Sequence, residues 1–434
     1  MVKKNRITRR GFLKQAAGAA ALGAAFPYII PASARRADAH VAPSNRVTVG
    51  CIGVGPQGNG VMGGYLNRPD AQVVAVCDVK RPCREDTKAR VDKRYGDTGC
   101  AMYTDFRELL ARADIDAVSI ASTDHWHVLH ALYAVRAGKD TYVEKPLGLS
   151  LAEEIALRNA VQQHGRVFQF GTQQRSSRNF RFACELVRNG RIGQLHTIRV
   201  GSPASIPSDV YPTMPVPDWV DYDLWLGPAP WAPYTDNRIS NSHWWHISDY
   251  ALGFVAGWGI HHVDIAQWGN GTDDTGPVEI EGSGVFPAEG MCDCATAWNV
   301  SMKYANGVTL DYTDEGKNTH GILFEGSEGQ VYVRRSFMDA TPKSLLDSVI
   351  GPDEIHLYES DDHQGNFIDC VKSRAKTVCP IEVTVRSDTL CHLSDIAMRL
   401  GRKLRWDPRA ERFIDDEEAN RRLTRAMRAP WRLV

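Results

Sequence analysis

The chain has 434 residues, is 43% hydrophobic and 24% charged, and carries a formal net charge of −1. That length exceeds one comfortable hydrophobic core, so two domains are expected. The charge balance excludes the electrostatic footprint of a nucleic-acid or anionic-membrane binder.

Residues 1–34 read as an address. Lys3, Lys4, Arg6, Arg9, Arg10 and Lys14 make a basic start with no acid, and Thr8-Arg9-Arg10-Gly11-Phe12-Leu13-Lys14 has the form of a twin-arginine signal. Ala32-Ser33-Ala34 fits the small-x-small cleavage rule. The apolar run between them is broken by Pro27 and Pro31 and falls short of the ~20 residues a membrane span needs. Export to the periplasm by the twin-arginine machinery is expected. Removing the signal takes away six positive charges and leaves a net charge of −7. A protein exported after folding meets few free small molecules of the cytoplasm outside. Any redox cofactor would then be bound before export, held tightly, and reduced and reoxidised in place.

Residues 35–44 read as a linker, and Val47–Ile52 as a buried strand running into Gly53-Val-Gly55-Pro-Gln57-Gly58 and a helix near 57–67. This is the G-x-G-x-x-G pattern. Gly53 permits the tight turn, Gly55 lets the backbone approach a pyrophosphate, and Gly58 lets helix and strand pack closely. The helix N-terminus, with Gln57 in its first turn, offers free N–H groups to phosphate. A second strand, 72–77, ends at Asp78, where an acid would hold a ribose 2′-hydroxyl. Asp78 leans the reading toward NAD, while Lys80 and Arg81 keep NADP open. A helix at 81–95, a short one at 105–113, a strand at 117–121, a helix at 125–137, a strand at 141–144, a helix at 150–164 and a strand at 167–170 follow. The alternation predicts a parallel, doubly wound sheet in a Rossmann domain over 45–171. Ligands on such sheets sit beyond the carboxyl ends of the strands, which here are the turns 53–58, 122–127 and 144–147.

The turns Ser122-Thr123-Asp124-His125-Trp126-His127 and Glu144-Lys145-Pro146-Leu147 complete a pattern. Together with GVGPQG, AGKDTYVEKPL at 137–147, GWGIHHVDIAQWG at 257–269, NFIDCVKSR at 366–374 and LGRKLRWDP at 400–408, they resemble the glucose-fructose oxidoreductase/inositol dehydrogenase (Gfo/Idh/MocA) family from Val47 to the C-terminus. The likeness is strongest to its exported, twin-arginine subgroup, several of whose members act on sugars or glycosides. The resemblance implies a second α+β domain, here 172–434, built on an open, mostly antiparallel sheet whose face commonly makes a homodimer or homotetramer. The residues agree in outline. A helix at 179–189 precedes β-like runs at 195–200, 278–286, 296–304, 307–312, 321–325 and 330–333, and helices are expected at 361–374 and 386–401.

Residues 202–250 hold eight of the 22 prolines and five of the 11 tryptophans, a spacing that suits neither helix nor strand. So long a segment inside a domain is usually functional or disordered. Most of its tryptophans would pin the segment down. Trp244 and Trp245, between His243 and His246, are the candidates to stack on a pyranose ring of a carbohydrate substrate.

Lys145 is the leading catalytic candidate. In the family this lysine reaches the nicotinamide ribose and the substrate hydroxyl, where a cation stabilises a developing alkoxide. Glu144 would orient it. His261 is the candidate acid or base. The family places an aspartate one helical turn before this histidine, where the present chain has Gly257. Asp264, three residues beyond His261, is the candidate to orient it instead, and His262 is its rival. Thr123, His125 and His127 are expected to line the cofactor pocket, and Gln173 and Arg175 to face the substrate cleft. His125-x-His127 could hold a metal, but no further ligand is identifiable. The ten cysteines form no paired C-x-x-C pattern, and Cys292-Asp-Cys294 is too closely set for a zinc knuckle, so no metal and mostly free core thiols are expected.

Three functions fit. The first is an NAD(P)-dependent oxidoreductase acting on a sugar, polyol or glycoside hydroxyl. The second is redox-neutral glycoside hydrolysis or elimination through transient oxidation. The third is a non-catalytic sugar-binding relative, favoured only by the missing aspartate at 257.

Overall fold

A computed structural model describes residues 41–433. The expected export signal, and the expected linker up to residue 40, lie outside the described residues. Among the described residues no helix is long and apolar enough to cross a membrane.

Six short strands form the first sheet: β1 (Val47–Ile52), β2 (Ala71–Cys77), β3 (Ala101–Tyr103), β4 (Ala117–Ile120), β5 (Asp140–Val143) and β6 (Phe168–Phe170). Their spatial order is β3-β2-β1-β4-β5-β6, and every neighbouring pair is parallel. The order reverses direction between β1 and β4, which opens a crevice at their carboxyl ends. β1, β4 and β5 are nearly continuous runs of buried residues, as a sheet covered on both faces requires. No separate sequence pattern marks β3. Three residues, one of them exposed, are too few for a periodicity to register.

The second sheet has nine strands in the order β13-β12-β11-β7-β10-β9-β8-β14-β15. They are β7 (Leu195–Ser202), β8 (Pro277–Val285), β9 (Ala297–Tyr304), β10 (Thr309–Asp314), β11 (Gly321–Gly326), β12 (Gln330–Arg334), β13 (Phe337–Thr341), β14 (Leu404–Asp407) and β15 (Arg412–Phe413). Only β7 and β10 pair in parallel; the other pairs are antiparallel. Exposed and buried residues alternate along β9, the pattern of a sheet with one face in the core. That face packs on the helices Gly259–Asn270 and Ile381–Leu400. The second of these starts five residues before the expected 386, because Pro380 caps it with its fixed φ.

The first sheet ends at Phe170, and a later segment of the chain packs back onto it. The helix His363–Ser373 returns to the first domain. Its Phe367 and Ile368 are buried with Val49, Met62 and Tyr65, and Gln169 Nε2 donates to the His363 carbonyl at 2.6 Å. Near the C-terminus Trp431 packs edge-on against Trp126, with centroids 4.7 Å apart. The two domains are therefore stitched together by two segments from the C-terminal part of the second, a long-range pairing that periodicity does not report.

All ten cysteines are free, and nine are buried.

Candidate functional site

A cleft of about 360 Å3 opens at the carboxyl ends of β1, β2, β4 and β5. Its floor is the glycine turn. Gly53 has φ +77°, and a Cβ there would lie 2.4 Å from the Ser122 amide nitrogen. A Cβ on Gly58 would lie 1.9 Å from the Gly53 carbonyl oxygen. A Cβ on Gly55 would meet nothing within 4 Å. Two glycines are thus needed for packing and the third leaves open space where a ligand can reach the backbone. The helix Pro56–Leu66 begins there with no side-chain cap, so its first N–H groups remain available to phosphate.

Asp78 ends β2. Its carboxylate accepts from the Val54 amide at 2.9 Å and the Lys80 amide at 2.8 Å, which fixes it at the cleft wall. Burial raises its pKa. Lys80 also lines the cleft, but its Nζ donates to the Ile239 carbonyl at 2.7 Å, and Arg81 pairs with Asp218 at 3.3 Å.

At the other end of the cleft, Lys145 Nζ donates to the Gly257 carbonyl at 2.9 Å and lies 5.9 Å from the centre of the Trp245 ring. Glu144 is buried behind it, and burial raises its pKa. Its Oε1 accepts from Gln173 Nε2 at 2.9 Å and from the Tyr142 hydroxyl at 3.1 Å. The chain just past Lys145 is held from below, where the Leu147 amide donates to Asp388 at 2.5 Å. Asp388 belongs to a buried trio with Glu154 and His392, in which His392 Nε2 lies 2.7 Å from Glu154 Oε1. Among the described residues this is the one grouping with metal-ligand chemistry, and its members do not line the cleft.

The 202–250 segment closes over the cofactor end. It carries short helices at Tyr222–Leu226 and Asp236–Ile239 and a 3-10 turn at Trp244–His246, around a small apolar cluster of its own. Val220 forms an isolated β-bridge with Lys80. Trp126 Nε1 donates to the Leu224 carbonyl at 2.9 Å, and His125 Nε2 to the Trp225 carbonyl at 3.0 Å.

Two family models match this architecture. The NAD-binding Rossmann fold of the GFO_IDH_MocA oxidoreductases matches residues 47–172, and their C-terminal alpha/beta domain matches 207–433. The chain belongs to the Gfo/Idh/MocA oxidoreductase family. Over 163 residues it is 31% identical to a myo-inositol 2-dehydrogenase of Thermotoga maritima, covering 37% of this chain and 47% of that protein. Over 210 residues it is 30% identical to a glycosyl hydrolase family 109 protein of Shewanella amazonensis, covering 44% of each. The chain thus spans less than half the length of these curated relatives. In fold it is similar to the WlbA dehydrogenase of Bordetella pertussis, solved with NADH and UDP-GlcNAcA. There the TM-score is 0.63 at 15% identity, covering 83% of this chain and 99% of that one.

Within this Gfo/Idh/MocA frame, Gly53, Gly55, Gln57, Asp78, Thr123, His127, Glu144, Lys145, Trp244 and Trp245 all line one cleft. Gly58 sits beneath it as a packing glycine. Gln173 reaches the cleft only through Glu144.

Three expectations need correction. Asp264 does not orient His261. It is fully buried in an ion pair with Arg175, whose Nε and Nη2 both reach it at 2.8 Å, and it accepts from the Ser387 hydroxyl at 2.7 Å. Arg175 for its part faces no substrate: it is buried between Asp264 and Asp273 and stacks on Trp268 at 5.0 Å. The i+3 spacing did put Asp264 on the same helix as His261, but a buried guanidinium demanded the carboxylate first. His125 is turned out of the cleft onto Trp225 and Tyr250.

His261 is buried next to the site rather than in the cleft wall. Its Nδ1 has no partner, and burial, then the Lys145 charge, hold its pKa well below the ordinary histidine value. The imidazole is therefore held neutral, with its Nδ1 unpaired. His127 lies between the carbonyls of Pro146, at 2.6 Å from Nδ1, and Ser122, at 3.0 Å from Nε2; burial lowers its pKa to about 4, and the neutral ring can donate to only one of the two.

Sequence reading missed His130, Tyr142 and Trp225. His130 lies in the cleft against Ser122 Oγ at 3.1 Å and stacks on Trp126. Its place three residues after His127, on the same helical face, was the available signal. Trp225 lines the cleft from the 202–250 segment, and no local pattern announces that.

Proposed function

We propose that this chain is an NAD(H)-dependent oxidoreductase acting on a hydroxyl carbon of a sugar, polyol or glycoside, and that it keeps its cofactor between turnovers. The observation that carries this is one continuous cleft joining the Gly53–Gly58 turn and Asp78 to Lys145, Trp244 and Trp245. The open face of Gly55, the uncapped helix N-terminus and the fixed Asp78 carboxylate fit a dinucleotide. Asp78 would repel a 2′-phosphate, and the two nearby cations are tied elsewhere, which favours NAD over NADP.

A bound nicotinamide would supply the hydride acceptor or donor. The chain supplies the rest. Lys145 presents a cation to the substrate hydroxyl, and Glu144, held by Tyr142 and Gln173, fixes its backbone neighbourhood. His261, neutral and buried beside the cleft, offers its unpaired Nδ1 as an acceptor for the hydroxyl proton. Trp245 and Trp244 offer an aromatic wall for a sugar ring.

Retention is supported by the 202–250 segment, which bonds to Lys80, His125 and Trp126 across the cofactor end. It is supported as well by the twin-arginine form of residues 8–14, on which we base export to the periplasm.

The test is to add neutral sugars, polyols and glycosides to NAD+-loaded protein and follow the nicotinamide absorbance. Reduction by at least one, reversed by a ketone acceptor, is expected; an inert panel counts against hydride transfer. A second reading, redox-neutral glycoside cleavage, is favoured by the likeness to the family 109 hydrolase. Cleavage of a chromogenic glycoside with no acceptor and no net absorbance change would select it.

A further inference from the structure

Arg335 stands at the tip of the β12–β13 hairpin. The strands pair up to Arg334 and Phe337, so the loop is only Arg335 and Ser336. Ser336 has φ +59°, a left-handed conformation that is uncommon for a residue with a side chain. Such a short turn on a paired ladder is a rigid mount.

The Arg335 guanidinium lies 4.9 Å from the centre of the Trp258 ring. Trp258 directly follows Gly257, the residue whose carbonyl receives Lys145, and its ring lies 5.9 Å from that of His261. Among the described residues no carboxylate lies within ion-pair distance of Arg335. The acid of this neighbourhood, Glu315, faces His320 instead, at 3.3 Å. Glu144 is near enough to act on Arg335 through space, but its Oε1 is already bonded by Gln173 and Tyr142. Around His261 stand two cations, Lys145 and Arg335, and the histidines His262 and His363, while the acids Glu144 and Asp124 line the cleft beside Lys145. The Arg335 side chain is exposed at the hairpin tip and holds its guanidinium over the Trp258 ring with no ion-pair partner among the described residues, so its fork is free to meet a planar anion bidentately.

We infer that the substrate carries a carboxylate, as a uronate-type sugar does, and that Arg335 recognises it while Lys145 meets the reacting hydroxyl and His261 stands beside it. A single guanidinium suits one carboxylate better than a dianionic phosphate, which calls for further donors. This inference rests on the oxidoreductase reading of the same site.

The experiment measures binding, so that it stands apart from turnover. Cofactor-loaded protein is titrated with matched probes, glucuronate against glucose and galacturonate against galactose, with glucose 6-phosphate as a third arm, using tryptophan fluorescence. At least one acid is expected to bind ten-fold or more tightly than its neutral partner. That preference should collapse in Arg335→Ala and survive in part in Arg335→Lys, with cofactor content unchanged in both. Equal binding of acid and neutral sugars, a preference that persists in Arg335→Ala, or preference for the phosphate over the carboxylates would each overturn the inference. Tight acid binding without any nicotinamide absorbance change would leave the recognition intact and count against hydride transfer instead.

Discussion

The Lys145 ammonium donates to the main-chain carbonyl of Gly257 at 2.9 Å. Where relatives are expected to place an aspartate side chain, this chain meets its lysine with backbone. Lys145→Ala should therefore lower kcat by about 10²–10³-fold while cofactor remains bound. Gly257→Ala should be nearly silent, because the carbonyl stays and the new Cβ meets only the Phe254 ring, at 3.4 Å. Steady-state kinetics on both variants checks this; a Gly257→Ala enzyme as damaged as Lys145→Ala would show that something other than the carbonyl matters at 257.

Asp264 and Arg175 hold the second domain together rather than the reaction. Breaking a buried pair by removing one charge costs about 3–5 kcal/mol. Asp264→Asn should thus unfold at clearly lower denaturant, with the shape of its pH–rate profile unchanged. A profile shifted in its histidine limb, at unaltered stability, would return Asp264 to the role of orienting His261.

The chain disclosed its sheet and its cleft because both rest on local chemistry. Strands β1, β2, β4 and β5, the glycine turn, Asp78 and the Glu144-Lys145-Pro146 turn are each written in a few consecutive residues. What stayed hidden depends on distant partners. Asp264 and His261 share a helix, but only the fold brings Arg175, 89 residues away, onto that carboxylate. Trp225 and Arg335 reach the site from a proline-rich segment and a hairpin tip, where neither periodicity nor motif marks them. The return of His363–Ser373 to the first domain was invisible for the same reason.

The glycines separate folding from binding. Gly58→Ala forces a Cβ to 1.9 Å from the Gly53 carbonyl, so the turn must shift, and both stability and nucleotide binding should fall. Gly55→Ala meets open space, so the melting temperature should hold while nucleotide affinity drops ten-fold or more. Calorimetry of the two variants, with and without NAD+, checks the pair. Unchanged affinity in Gly55→Ala would place the pyrophosphate elsewhere.

His125 links stability to pH. Burial lowers its pKa from 6.5 to about 4, so the unfolded chain takes up a proton first as the medium acidifies. Its contribution is complete above pH 6.5 and is lost as pH falls from 6.5 to about 4, up to ~3 kcal/mol at 1.36 kcal/mol per unit. His125→Gln keeps a donor for the Trp225 carbonyl but cannot titrate. Urea unfolding across that range should show a shallower loss of stability on acidification in the variant than in the wild type. Parallel curves would mean that His125 is not held neutral.

The most direct measurement is on protein purified without added nucleotide, denatured, and its released small molecules weighed by mass spectrometry. NAD(H) close to one per chain, with little NADP(H), is the expected result. A chain that releases no nucleotide and binds none on addition would contradict the dinucleotide cleft and the retained cofactor together.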